Sequence, residues 1–173
     1  MRIKETKVYQ FSELSDKAKE SAVNNMANIN IDYEWWENTF YDAEHTALLR
    51  ITSFDTDRDC SGDFIEYAED TAKKIIAEHG EQCETYQTAT NYLKECAELQ
   101  QQYPEKLDED LDDLNKYTRE QAREEIDDEF LKSILEDYWI ILRKEYEYLS
   151  SEEAIIETIE ANEYEFTEDG EIA

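Results

Sequence analysis

The stretch TREQAREEIDDEFLKSILEDYWI, residues 118–140, decides the fold that this sequence predicts. Thr118 and Gln121 have the spacing of a capping box, the side-chain pair that typically opens a helix. Apolar side chains then recur about every four residues along one face: Ile126, Phe130, Ile134, Tyr138 and Ile141. We therefore predict one long helix over about 118–149, with this apolar stripe packed on a core.

Shorter helices and three strands are predicted around the long helix. Ser12 or Ser15 is expected to cap a first helix, and a second helix should begin near Asp32. A third helix should end at His79-Gly80, a fourth should cover about 86–97, and a last short helix should follow Ser150. Alternating patterns predict strands at about 6–11, 50–55 and 163–168, which we expect to form one small antiparallel three-stranded sheet. The fold class is thus α+β, mostly helical, in a single domain over 1–173. The run 103–117 is interpreted as an acidic connector or a weak helix within that domain.

The dominant compositional feature is charge. The chain has 17 Lys and Arg against 46 Asp and Glu, a net charge of −29. Because binding to phosphates requires a basic surface, this composition argues against direct contact with nucleic acid and with anionic membranes. No apolar run is long enough to span a bilayer, and no signal-peptide pattern opens the chain. The three cysteines form no close pair, so a disulfide framework is not expected. We therefore expect a cytoplasmic protein.

The excess of acid is greatest after residue 100. Residues 101–173 contain 25 acidic and 7 basic groups, a net charge of −18. We expect these acids to form a partner-binding face, with two tryptophans, Trp35 and Trp139, as aromatic anchors. The candidate acids are Asp108, Glu109, Asp110, Asp112, Asp113, Glu124, Glu125, Asp127, Asp128 and Glu129. The alternatives are an ordinary solvated face for the acids and a small second core for the rings.

A second candidate site lies between residues 55 and 66. Its oxygen donors occupy positions 1, 3, 5, 7, 9 and 12 of a twelve-residue loop, the spacing of an EF-hand calcium site: Asp55, Asp57, Asp59, Ser61, Asp63 and Glu66. Cys60 stands where that loop needs glycine, and the preceding residues predict a strand rather than a helix. The alternative is a strand-to-helix loop in which Asp63 is the helix N-cap and Arg58 pairs with a nearby acid.

No nucleophile, phosphate-loop or zinc-protease motif occurs, and His45 has no obvious nucleophile beside it. We therefore predict a non-enzymatic protein without a cofactor, unless the 55–66 loop holds calcium.

Several stretches are similar to a group of small acidic proteins encoded by phages and prophages: Tyr9–Ala22 (YQFSELSDKAKESA), Tyr33–Trp36 (YEWW), Phe54–Arg58 (FDTDR), Glu78–Gly80 (EHG), Glu145–Ala154 (EYEYLSSEEA) and Asn162–Gly170 (NEYEFTEDG). The resemblance implies a phage accessory protein that acts in a bacterial cytoplasm, by analogy with anti-restriction and anti-CRISPR inhibitors. It transfers no catalytic residue.

The sequence thus predicts a nucleic-acid mimic that binds a basic host protein, in particular a nucleic-acid-handling defence nuclease or its complex. Two alternatives stay open: a calcium-binding or metal-stabilised module built on 55–66, and an antitoxin-like protein that binds its partner through apolar contacts. The sequence gives no indication of an oligomeric state.

Overall fold

Most of the described residues are helical, which confirms the mostly helical fold class. The computed structural model describes residues 7–103 and 109–173, the stretch 109–117 as helical backbone only. The helices of this part are α1 (Asp16–Asn25), α2 (Glu37–His45), α3 (Ala68–Glu78), α4 (Glu84–Gln102), α5 (Glu109–Leu149) and α6 (Glu152–Ala161). None of them is both long and apolar enough to cross a membrane.

The strands form two separate pairs, so the predicted three-stranded sheet is wrong. They are β1 (Tyr9–Gln10), β2 (Leu49–Phe54), β3 (Cys60–Phe64) and β4 (Glu165–Phe166). β1 pairs with β4 and β2 pairs with β3, both antiparallel. The predicted strand at 50–55 therefore pairs with a segment predicted as loop, because a short turn brings β3 back beside it at little entropic cost.

That turn is stabilised by the chain's own polar groups. The Asp55 amide donates to the Asp59 carbonyl at 2.8 Å, and the Asp57 amide donates to the Asp55 carboxylate at 2.9 Å. Such a carboxylate-to-backbone bond two residues on is typical of Asp in tight turns. Gly62 in β3 faces Ile51, at the point where the register shifts between Ile51 and Ser53.

The contacts of the chain divide it into two compact units. The terminal unit combines the chain up to Trp35 with Lys144–Ala173, and the central unit is Trp36–Arg143. In the terminal unit, the Ser15 and Ser151 hydroxyls cap α1 and α6 by accepting from the amides of Ala18 and Ala154. The helices enclose a core with β1 and β4: Phe11, Leu14, Ala18, Ala22, Met26, Ile155, Ile159 and Phe166.

A buried asparagine joins distant segments of the terminal unit. The Asn30 amide nitrogen donates to the Leu149 carbonyl at 3.1 Å, and its oxygen accepts from the Thr158 hydroxyl at 2.7 Å. Gly170 adopts φ of +84°, and a Cβ there would collide with the Ala18 carbonyl. Only glycine therefore fits where the C-terminal segment crosses α1.

The central unit has its own core, built from α2, the β2–β3 pair, α3, α4 and α5. Within it, Ile134 and Tyr138 of α5 are completely buried beside Leu49 of β2 and Ile75 of α3. The apolar stripe predicted for α5 is confirmed at Phe130, Ile134 and Tyr138.

Two details of the long helix were predicted wrongly. It begins at Glu109 instead of Thr118, so residues 109–117, predicted as an acidic connector or a weak helix, form its first turns. Ile141 is 42% exposed, and Leu142 takes the buried position because the four-residue step continues from Tyr138. Residues 104–108 lie outside the described part of the chain.

Candidate protein-binding site

The predicted acids of α5 divide into three groups. Asp108 lies outside the described residues. Glu109, Asp110, Asp112 and Asp113 are placed in the first turns of the helix, as backbone only. The remaining five, between Glu124 and Glu129, can be described in full.

Four of these five acids project from α5 toward solvent. Glu124, Glu125, Asp128 and Glu129 are all exposed. Because a helix turns about 100° per residue, Glu124 lies one turn below Asp128, and Glu125 one turn below Glu129. Among the residues that the structure describes, none of the four has a hydrogen-bond or ion-pair partner. We call these four residues the acidic face.

Asp127 is half-buried and is bonded to neighbouring side chains of the fold. Its carboxylate accepts from the hydroxyl of Tyr92, which is only 3% exposed, at 2.7 Å, and from Arg123 Nε at 2.9 Å. These bonds engage the carboxylate within the fold, and partner binding by Asp127 stays a prediction. The i,i+4 spacing of Arg123 and Asp127 is the one sequence signal of this role.

Arg123 is the centre of a bonded network. It also donates through Nη2 to the Tyr92 hydroxyl at 2.7 Å and to the carboxylate of Glu69 in α3 at 3.3 Å. Hydrogen bonds from Lys73 and Arg123 lower the pKa of Glu69. Burial raises the pKa of Tyr92, and the hydrogen bond to Asp127 raises it further, so the phenol stays protonated and keeps its donor. The network holds α3, α4 and α5 together within the central unit.

A cleft of about 740 Å³ opens between α4 and α5 beside this network. From α4 it is lined by apolar side chains that include Leu93, Ala97 and Leu99, and Ala97 is exposed. From α5 it is lined only by charged residues, including Glu120, Glu124 and Asp128, which follow one another at one-turn intervals. Glu120 and the apolar wall were not predicted from the sequence, although the four-residue spacing of these acids is visible there.

Neither predicted aromatic anchor is a free surface ring. Trp35 is 7% exposed and packs against Tyr146 in the terminal unit, with ring centroids 5.7 Å apart. Trp139 is half-buried in the central unit, where its indole Nε1 donates to the Asp55 carbonyl at 2.9 Å and Arg143 lies over its ring. Both tryptophans therefore contribute to packing, and their role as partner-binding anchors stays a prediction.

The residues of the predicted calcium loop lie along the β2–β3 hairpin. Asp55, Asp57 and Asp59 are at its turn, Ser61 and Asp63 belong to β3, and Glu66 follows the strand. Asp63 is opposite Arg50 in the pairing, and the N-cap of α3 is Tyr67, so the predicted capping role of Asp63 is wrong. No group of three or more His, Cys, Asp or Glu side chains in the described residues is placed to hold a metal ion.

A second polar network, which the sequence analysis did not find, connects α2, α3, α4 and α5. The hydroxyl of the fully buried Tyr138 donates to the Asp42 carboxylate at 2.8 Å. Thr46 bonds the same carboxylate and lies 3.2 Å from His79 Nε2, while His79 Nδ1 lies 2.7 Å from the hydroxyl of the buried Thr85. These bonds satisfy groups inside the core and so account for the cluster structurally.

No protein-family model matches the chain, and no curated protein and no solved structure matches it.

Proposed function

We propose that this chain is a non-enzymatic inhibitor that binds, through the acidic face of α5, the basic nucleic-acid-binding surface of another protein. The partner class that fits best is a nucleic-acid-handling defence nuclease of a bacterial host, with the inhibitor encoded by a phage. The phage origin comes from the quoted sequence resemblance alone. The binding chemistry comes from the residues of α5.

One observation carries the proposal: Glu124 with Asp128 and Glu125 with Glu129 form two carboxylate pairs, each one turn apart, without a cationic partner in the described residues. Like charges at this spacing destabilise a helix by roughly 0.2–0.5 kcal/mol per pair. A lysine at any of the four positions would remove that cost. A partner with positive charges would remove it as well, and would gain steered, fast association.

The amount of charge supports the same conclusion. The central unit contains 29 acidic and 11 basic residues, a net charge of −18, and the terminal unit contains 17 and 6, a net charge of −11. Solubility needs a net charge of only roughly 2–8 for a small domain. Because self-repulsion from the surplus opposes folding, a function that uses the charge is the simplest reason to keep it.

The test is capture of a partner from a bacterial lysate by the full chain, repeated across salt concentrations. We expect one basic, nucleic-acid-binding protein to be retained at low salt and released steeply as salt rises, because exposed charges are screened. Replacement of Glu124, Glu125, Asp128 and Glu129 by lysine, with Asp127 unchanged, should abolish capture.

A matched control carries the same change in charge elsewhere. Glu160, Glu165, Glu168 and Glu171 of the terminal unit are also exposed, and their replacement by lysine should leave most of the binding intact. Equal loss in both variants would mean that total charge acts without a defined face. Capture that does not respond to salt would refute the proposal and favour an apolar interface.

A further inference from the structure

The cleft beside the acidic face has two chemically different walls. Leu93 and Ala97 of α4 are one turn apart and present an apolar surface, while Glu120, Glu124 and Asp128 of α5 present carboxylates one turn apart. Its volume of about 740 Å³ lies within the range of roughly 300–1,000 Å³ typical of ligand-binding clefts.

The two arginines of the lining do not cancel this charge. Arg123 is already bonded to Asp127 and Glu69 at 2.9 and 3.3 Å, and Lys73 also pairs with Glu69 at 2.7 Å, so these cations are engaged with two of the five carboxylates that line the cleft. Even with Arg119 and Lys73 counted as further positive charges, five acids stand against three bases at the cleft. An occupant must therefore be cationic, and it gains most if it also has an apolar part.

We propose that this cleft binds arginine side chains of a basic segment of the protein partner. The aliphatic stem of arginine would lie on Leu93 and Ala97, and the guanidinium would bond the carboxylates of Glu120, Glu124 and Asp128. Arginine suits such a site because its stem packs on apolar surface and its planar head bonds carboxylates in pairs. The inference rests on the proposed function and gives the acidic face a defined anchor point.

The probe for the test is a fluorescein-labelled peptide of eight arginines, titrated into the full chain. Its affinity is measured by fluorescence anisotropy, and the methyl resonances of Leu93 and Leu99 report where it binds. We expect those methyl resonances to shift with the peptide's own saturation curve. A variant with Glu120→Gln, Glu124→Gln and Asp128→Asn should bind at least about tenfold more weakly.

Two further variants separate cleft binding from general attraction. Ala97→Trp keeps every charge, starts from an exposed position and fills the cleft, so it should weaken binding about as much as the charge variant. Glu165→Gln, Glu168→Gln and Glu171→Gln remove three exposed charges from the terminal unit and should change affinity less than about twofold. Normal peptide binding by the tryptophan variant, or equal loss in both charge variants, would overturn the proposal.

The outcomes also distinguish this inference from the proposed function. A lysate partner that is lost on charge reversal of α5 but captured normally by Ala97→Trp would refute the cleft alone. Peptide binding at Leu93 without any basic partner in the lysate would refute the inhibitor function and leave the cleft as an arginine site.

Discussion

Two neighbouring carboxylates of α5 should respond in opposite ways to the same substitution. Asp127→Ala removes the acceptor of the buried Tyr92 hydroxyl, and an unsatisfied buried donor costs about 1–3 kcal/mol. The ion pair with Arg123 adds only about 0.3–0.5 kcal/mol, because both side chains are about one third exposed, at 33% and 35%. Asp128→Ala removes an exposed carboxylate that has no partner among the described residues, and it relieves the repulsion with Glu124.

The helix propensity gained by alanine is the same in both variants, so it cancels in the comparison. We expect Asp127→Ala to be about 2 kcal/mol less stable than Asp128→Ala. Urea unfolding measures this, with a midpoint lower by about 1 M for an ordinary dependence on denaturant. A double-mutant cycle with Tyr92→Phe should give a coupling of about 1 kcal/mol. Stabilities within about 0.5 kcal/mol of each other would refute the interior role of Asp127.

Three other predictions concern the rest of the molecule. Tyr138→Phe should cost about 1–2 kcal/mol at neutral pH, because it removes the buried bond to Asp42, and it should also flatten the loss of stability in alkali. Burial raises the pKa of the Tyr138 hydroxyl, so this group loses its proton at lower pH in the unfolded chain than in the folded one. The free energy of unfolding of the wild type should therefore fall above about pH 10, which urea titrations at several pH values measure. Gly62→Ala should destabilise the central unit by at least about 2 kcal/mol in thermal melts, since a Cβ there would collide with the Arg50 carbonyl and approach Leu135 to 3.0 Å. Gly80→Ala is the control and should be nearly neutral, because a Cβ at that position has open space. Excess calcium should leave the melting temperature unchanged, because the oxygen donors of 55–66 are spread along a hairpin, and a rise that EDTA reverses would revive the metal hypothesis.

The sequence predicts helices well where a cap and a periodic stripe agree. Ser15 before α1 and the stripe from Phe130 to Tyr138 in α5 are examples, because both signals are local. The start of α5 was missed because the run 103–117 was interpreted as an acidic connector or a weak helix apart from the long one, although acids are favourable in the first turn of a helix.

Strand β3 of the β2–β3 hairpin was missed because its residues also fit the calcium-loop pattern. The calcium-loop pattern places oxygen donors at every second residue, and a strand with one polar face has the same period of two. Ser61 and Asp63 fit both patterns, so only the pairing with β2 decides between them.

The candidate site could be predicted only in part. Charge density and helical spacing located the acidic face, but Asp127 and Asp128 are neighbouring residues of the same type, so the sequence does not distinguish their roles. Their roles separate through Tyr92, 35 residues away in the chain, a contact that local patterns do not reveal. The burial of Trp35 likewise depends on Tyr146, from the other end of the chain.

The make-up of the terminal unit has a consequence for how the chain folds as it is synthesised. Phe11 and Leu14 belong to a core completed by Ile159 and Phe166, and the two segments are separated by the whole of Trp36–Arg143. Domains generally fold in the order in which the ribosome releases them. The continuous central unit can thus fold first, while the opening segment keeps its apolar side chains uncovered until the last strand emerges. Deletion of residues 165–173 removes β4 and Phe166. It should consequently leave the central unit folded and the terminal unit without the strand that pairs with β1.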